Sequence, residues 1–297
     1  MTDRVPVAPS LPGGQAQALL AGYDRALAAR RGRSLTALGV VLGCALLSAW
    51  AAEVRPGDLA ANLYRFTSYI GRITPTLTWA NLFGDLAEWY WNVGLWTRLL
   101  VETLLIAYVG TLVGGAIAVC LCFTASGNLG EIAWARFAVR RVLEFLRTVP
   151  EVVFALLFVI AFGLGPMAGV IAIALHTAGA LGKLFFEIVE NIDMKPVEGV
   201  RSSGGSWLHA VRFAALPQVA AGFASYALLR FEINVRGASV MGFVGAGGIG
   251  QELISAIRQF YYPDVSAILL MIIATVFVID IADERIRHRL AAVESPK

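Results

Sequence analysis

Gly245, Gly247 and Gly250, in the run VGAGGIGQELI, spell G-x-G-x-x-G, and Asp264 lies nineteen residues beyond the first of them. In a dinucleotide-binding fold this spacing lets the backbone approach a pyrophosphate and places an acid on the ribose. A second candidate group lies just upstream, where LLRFEINVRGAS carries Arg230, Glu232, Asn234 and Arg236. Glu232 and Arg236 stand four residues apart with Glu first, the favourable order for an ion pair on one helix face. Arg230 and Asn234 share a neighbouring face by the same spacing. Two chemistries fit: a self-neutralised pair that locks one helix, or arginines that offset the charge of a passing oxyanion. Glu151 follows Pro150 and reads as an N-terminal helix charge partnered by Arg147, with a gate contact as the other reading. His176 stands alone and suits a hydrogen bond inside a helix bundle. Glu102 has no evident partner. Cys44, Cys120 and Cys122 lie in apolar runs and read as small buried hydrophobes, with no zinc spacing and no disulfide framework. No G-x-x-x-x-G-K-[ST] phosphate loop is present; the nearest approach, Gly179 to Lys183, has the wrong spacing and continues into leucine. ATP hydrolysis is therefore not expected of this chain, which is not read as an enzyme.

Composition then decides what must position these residues. The chain is 58% hydrophobic and 15% charged, against about 25% charged for an ordinary soluble domain. Too few polar residues remain to clothe a soluble fold of this length, so the chain reads as an all-α integral membrane protein. Apolar segments near 34–52, 95–123, 148–164, 166–189, 218–241 and 264–283 are long enough, or nearly so, for six transmembrane helices. Lys and Arg crowd into alternate connections: Arg4 to Arg33, Arg136 to Arg147, Lys183 to Arg212, and Arg285 to Lys297. The opposite side holds only Arg55, Arg65, Arg72 and Arg258, which puts both termini in the cytoplasm. Ala49 to Ala51 imitates a leader-peptidase site, but the polar lead is long for a leader and the run is read as the first span. Residues 53–92, with Trp79, Trp89, Tyr90 and Trp91, suit a helix at the external membrane interface.

One cytoplasmic connection is more than a link. In residues 190–217 Pro196 suits a first helical turn and Glu198 favours the helix dipole there. Ser202 to Gly205 break the helix, and a second stretch from Ser206 to Phe213 runs to Leu216-Pro217, where the proline is expected to turn the chain into the fifth span. The register of Glu198, Gly204 and Leu216-Pro217 resembles the "EAA" loop of ABC-importer permeases, with "EGV" in place of "EAA" and Ala214 at the usual isoleucine. RTVPE (147–151), GLGPMAGVIAIALHTAGALGKLFFEIVENID (163–193), RFEINVR (230–236) and GFVGAGGIG (242–250) extend the likeness to the phosphonate-type permease subunit over roughly 95–290.

The resemblance implies the type I permease fold of an importer with two identical permease copies, a homodimer, two cytoplasmic ATPase subunits that bind ATP and Mg, and an external phosphonate-binding protein. It implies a coupling role for Glu198, Gly199, Gly204, Leu216 and Pro217. It divides the chain into a cytoplasmic tail (1–33), a first span with its external segment (34–94), a permease core (95–290) and a C-terminal tail (291–297). Pathway or gate candidates are Glu151, Arg230, Glu232, Asn234, Arg236, Gly245, Gly247 and Gly250. No cofactor, metal or nucleic acid is expected on this chain. A gradient-driven transporter or channel for a small anion is the alternative; it calls for discontinuous spans in both halves, and only the glycine run at 242–250 reads as one. Between two membrane helices the glycines fit a tight external turn, with amides that could meet an anion, better than a cofactor site.

Overall fold

A computed structural model describes residues 13–294, so Arg4 and Lys297, which the charge count used, lie outside the described residues. Among those residues the chain is helical throughout. It divides into two compact units, residues 1–68 and 69–297.

In the first unit, α1 (Gly13–Ala51) is one 39-residue helix. Its apolar window, Ala21–Ala51, buries nothing inside the protein, as a lipid-facing helix requires. Helix α2 (Pro56–Ile73), whose end from Tyr69 on belongs to the second unit, carries Leu59, Leu63, Phe66 and Ile70 on one stripe and Asp58, Arg65 and Arg72 elsewhere. That pattern suits a helix lying at an interface rather than crossing it.

The second unit contains the short α3 (Leu82–Trp89), then α4 (Val93–Ala125), α5 (Ala133–Thr148), α6 (Glu151–Phe162) and α7 (Pro166–Glu190). It continues through α8 (Lys195–Ser202), α9 (Trp207–Ala210), α10 (Leu216–Met241), α11 (Ile249–Arg258) and α12 (Tyr262–Glu294). Helices α4 and α7 run side by side in the same direction. Small residues allow their approach: a methyl on Gly110 would meet Ile173, and one on Gly114 would meet Ala174 and Thr177. Gly179 and Gly182 admit α5 in the same way, against the backbone near Arg147 and the Leu143 side chain. Gly163 and Gly165 meet nothing within 4 Å and take φ of +91° and +143° in the α6–α7 turn.

The third expected span needs correction. Residues 124–147 are not a plain basic loop but largely α5, and α6 has only 12 residues. At 1.5 Å per residue it is about 18 Å long, too short for a hydrocarbon core of about 30 Å. Pro150 forces the break, and α5 and α6 meet at 88° as a bent pair that crosses only if the two helices count together. Four helices alone are long and apolar enough to cross, or up to six if each bent pair counts as one. Of the cysteines only Cys122 is buried; Cys44 and Cys120 are exposed, which apolar thiols tolerate in lipid.

Candidate functional site

The segment after α7 is a short helix, a tight turn and a second helix that runs on into α10. Helix α8 starts with Pro196 in its first turn, where a missing N–H costs nothing. It stops at a Schellman cap: Gly204, at φ +82°, donates its N–H to the Arg201 carbonyl, and Gly205 donates to Val200, both at 3.0 Å. Val197 is fully buried under this turn, while Glu198, Gly199 and Gly204 are exposed. The Trp207 indole N–H donates to the Leu129 carbonyl at 2.9 Å and anchors the start of α9. Pro196, Gly199, Gly204, His209 and Phe213 border an open groove of about 620 Å³.

The expected turn at Leu216-Pro217 is absent. A π-helical segment, Val211–Ala215, joins α9 directly to α10, and Leu216 donates its N–H five residues back to Val211. Pro217 lacks an N–H and its ring would clash with the carbonyl four residues earlier; the wider π turn accommodates both. Gln218, which the sequence reading passed over, completes the joint. Its Nε2 donates to the Ala214 and Asp193 carbonyls at 2.8 and 3.2 Å, and its Oε1 accepts the Asp193 N–H at 3.0 Å.

Further along α10 the charged residues separate onto two faces, because 230 and 234 lie opposite 232 and 236 at helical spacing. On the first face, buried Asn234 donates through Nδ2 to Thr111 of α4 at 2.8 Å and Thr177 of α7 at 2.9 Å. Arg230 pairs with Glu151 at 3.6 Å and donates to Thr177 at 3.5 Å. Glu151 therefore has Arg230, not Arg147, as its partner, since the 88° break carries α6 across to α10. Gly237 makes room for the Glu151 carboxylate. His176 Nδ1 bonds the Val149 carbonyl at 3.0 Å, a hydrogen bond inside the bundle as its isolation suggested.

The second face meets α12. Glu232 pairs with Arg236, as the i, i+4 spacing implied, and with Arg287 at 3.4 Å. Arg287 also pairs with Asp283 at 3.2 Å, and Arg236 with Asp280 at 3.9 Å. Mutual pairing explains why so many charges are tolerated here, since each ion on this face has an opposite charge within 4 Å.

At the other end of α10 the glycine run forms a buried, irregular joint to α11. Gly245, Gly247 and Gly248 all have φ between +78° and +85°, which L side chains rarely adopt. Gly250 is required for a different reason: its Cα is in contact range of the Ser239 carbonyl, and a Cβ would overlap it. The amides of this loop are already engaged. Gly245 donates to Gly242, Ala246 to Met241, Gly248 to Glu102 at 3.1 Å and Ile249 to Thr103 at 2.8 Å. These four amides are turned inward, and Glu102 gains the partner that its sequence context did not reveal. Asp264 accepts the Trp91 indole N–H at 3.2 Å in the first turn of α12, far from any dinucleotide geometry.

These features match a known architecture. The family described as "Binding-protein-dependent transport system inner membrane component" covers residues 124–292. The chain belongs to this family. It is thus an inner-membrane ABC importer permease, not an enzyme, and it works with separate ATPase and substrate-binding subunits. It is 34% identical to the phosphite transport system permease protein PtxC of Stutzerimonas stutzeri over 91% of this chain and 93% of that one. To the phosphate-import permease protein PhnE of Mycolicibacterium smegmatis it is 36% identical, over 81% of this chain and 44% of that protein. In fold it is similar to the inward-facing MetNI methionine ABC transporter, with a TM-score of 0.56 over 67% of this chain and 97% of that one at 22% identity. Membership also decides a point that topology left open. The α5–α6 break is a second bent helix pair, a feature that the gradient-driven alternative called for, but the family is that of ATP-driven permeases.

Proposed function

We propose that two identical copies of this permease form the pathway for a phosphonate or a related phosphorus oxyanion, each with six spans and cytoplasmic termini. Residues 1–33 and 291–297 are then tails, 34–94 a first span with its external segment, and 95–290 the permease core. The partner ATPases bind ATP and Mg, and the external partner is a phosphonate-binding protein. The observation that carries the reading is the unbroken helical path from Trp207 through the π segment to Met241. That rod joins the exposed segment around Glu198, Gly199 and Gly204 to Arg230 and Asn234, with Leu216 and Pro217 at the joint. Closure of the ATPases would push one end and shift the other, as a packed helix moves as a body.

On this reading Arg230 and Asn234, with Glu151, are the substrate-side groups, since a guanidinium matches a phosphorus oxyanion. Glu232 and Arg236 hold α10 against α12. Gly245, Gly247 and Gly250 pack the external gate. The likeness to phosphite and phosphate permeases supports the substrate class. The test is ATP-driven uptake of phosphonate, phosphite and phosphate by proteoliposomes of the assembled complex. Glu198→Ala is expected to leave ATP hydrolysis running without uptake. Uptake of none of the three anions would overturn the substrate class, and normal coupling in the variant would overturn the lever.

A further inference from the structure

The aromatic end of the second unit holds two adjoining cavities of opposite character. One, about 270 Å³, is an apolar slot between Ile70 and Ile73 at the end of α2 and Leu269 and Leu270 on α12. The other, about 590 Å³, is a polar cleft bordered by Arg72, Thr76, Asp85, Glu88, Trp91 and Asp264. Thr74, Pro75 and Trp89 line both, so the pair makes one amphipathic recess. Trp89 is fixed at the junction: its indole N–H donates to the Pro263 carbonyl at 3.0 Å and to Ser266 at 3.1 Å. Tryptophans at such a boundary mark the level of lipid headgroups.

The charges in the cleft select the ligand. Asp85 is engaged by the Thr78 N–H and hydroxyl, both at 2.7 Å, and by Asn81. One oxygen of Asp264 accepts from Trp91. The Glu88 carboxylate enters no hydrogen bond or ion pair among the described residues, and the Arg72 guanidinium meets only the Tyr262 ring, 6.0 Å away. A cation and a carboxylate therefore stand without ionic partners in one cleft, above a slot that takes hydrocarbon. An anionic lipid would meet the surplus of carboxylates. A free phosphorus oxyanion would have no use for the slot. A zwitterionic lipid satisfies every element, with its phosphate on Arg72 and its ammonium between Glu88, Asp264 and the tryptophan rings. Carboxylates further favour an ammonium that can donate N–H bonds over a quaternary one.

We propose that this recess is a binding site for an ethanolamine phospholipid, with an acyl chain in the Ile70–Leu270 slot and the headgroup in the Arg72–Glu88 cleft. The test is native mass spectrometry of the purified full-length complex from nanodiscs of equal ethanolamine, choline and glycerol phospholipid. The ethanolamine lipid is expected to be retained in excess of its bulk share. Arg72→Ala is expected to cut the excess about fivefold, the worth of one basic contact near a headgroup. Glu88→Gln changes an exposed side chain with no protein partner, so it keeps the fold while lowering the excess and the preference over choline lipid. Retention in bulk proportions, preference for the glycerol lipid, or an excess unchanged in both variants would overturn the proposal. None of these readouts depends on which anion is transported.

Discussion

The Glu151–Arg230 pair offers a quantitative handle on how the broken span is held. The two side chains keep 20% and 13% of their surface exposed, and their charges approach to 3.6 Å. At an effective dielectric of about 20 the attraction is about 4–5 kcal/mol, before the cost of desolvating both ions. Glu151→Gln or Arg230→Met alone leaves one uncompensated charge and is expected to destabilise the permease by about 3 kcal/mol. The double variant removes both desolvation costs and should recover most of that loss, giving a coupling energy of about 2–3 kcal/mol. Equilibrium unfolding in mixed micelles, followed by tryptophan fluorescence, measures it. The same variants measured for uptake separate structure from transport: the double variant should regain stability and stay inactive if Arg230 meets the substrate. Additive single effects, with a coupling below about 0.5 kcal/mol, would refute the pairing as the clamp between α6 and α10.

Three further outcomes are expected. Gly250→Ala drives a Cβ into the Ser239 carbonyl and should cost about 2 kcal/mol; an unchanged unfolding midpoint would contradict the close approach. Gln218→Ala strips the α7–α8 turn and the π segment of their shared side chain and should cost about 1–2 kcal/mol. Its sharper signature is ATP hydrolysis no longer matched by uptake, and intact coupling would show that the joint needs no clamp. The Thr78 hydroxyl and N–H hold the Asp85 carboxyl below its ordinary pKa. The folded group therefore stabilises the 78–85 turn at neutral pH, and that contribution is lost as pH falls through the lowered value. Amide exchange in α3, corrected for intrinsic rate, should quicken there, and Asp85→Asn should reproduce this at neutral pH; equal protection in both would dispose of the idea.

Much of this was legible because membrane insertion constrains local sequence strongly. Apolar runs marked α4, α7 and α10 closely, while α1 begins well before residue 34 and α12 runs well past residue 283, and Gly204 marked the end of α8 because only an αL residue closes that cap. What escaped notice depends on neighbours distant in sequence. Glu102 could not be matched to Gly248, 146 residues away, because a backbone amide leaves no trace in the residue pattern. Thr111 and Thr177 looked like fillers of apolar runs until Asn234 joined them. Arg147 seemed the partner of Glu151 by helical spacing, yet Pro150 ends that helix between them, and periodicity fails across a break. The same failure placed a turn at Pro217, where a π segment keeps the helix running.

Helix α10 brings these observations together. One end begins in the π joint, braced by Gln218 to the turn before α8. The other ends in a glycine loop whose amides are held by Glu102 and Thr103 of α4. Between them one face carries Arg230 and Asn234 toward α6, α4 and α7, and the opposite face is tied by Glu232 and Arg236 to α12. A rod fixed to α12 on one side cannot rotate freely, so a push at the π joint must be relieved at the weaker contacts. Those are the 3.6 Å Arg230–Glu151 pair and the amide bond to Glu102, since two ionic links join α10 to α12 and each is backed by an ion pair within its own helix. A displacement of α10 would therefore release the arginine and loosen the glycine loop together. On the proposed role of Arg230 at the oxyanion, release of its charge is in this way coupled to the opposite mouth of the same helix.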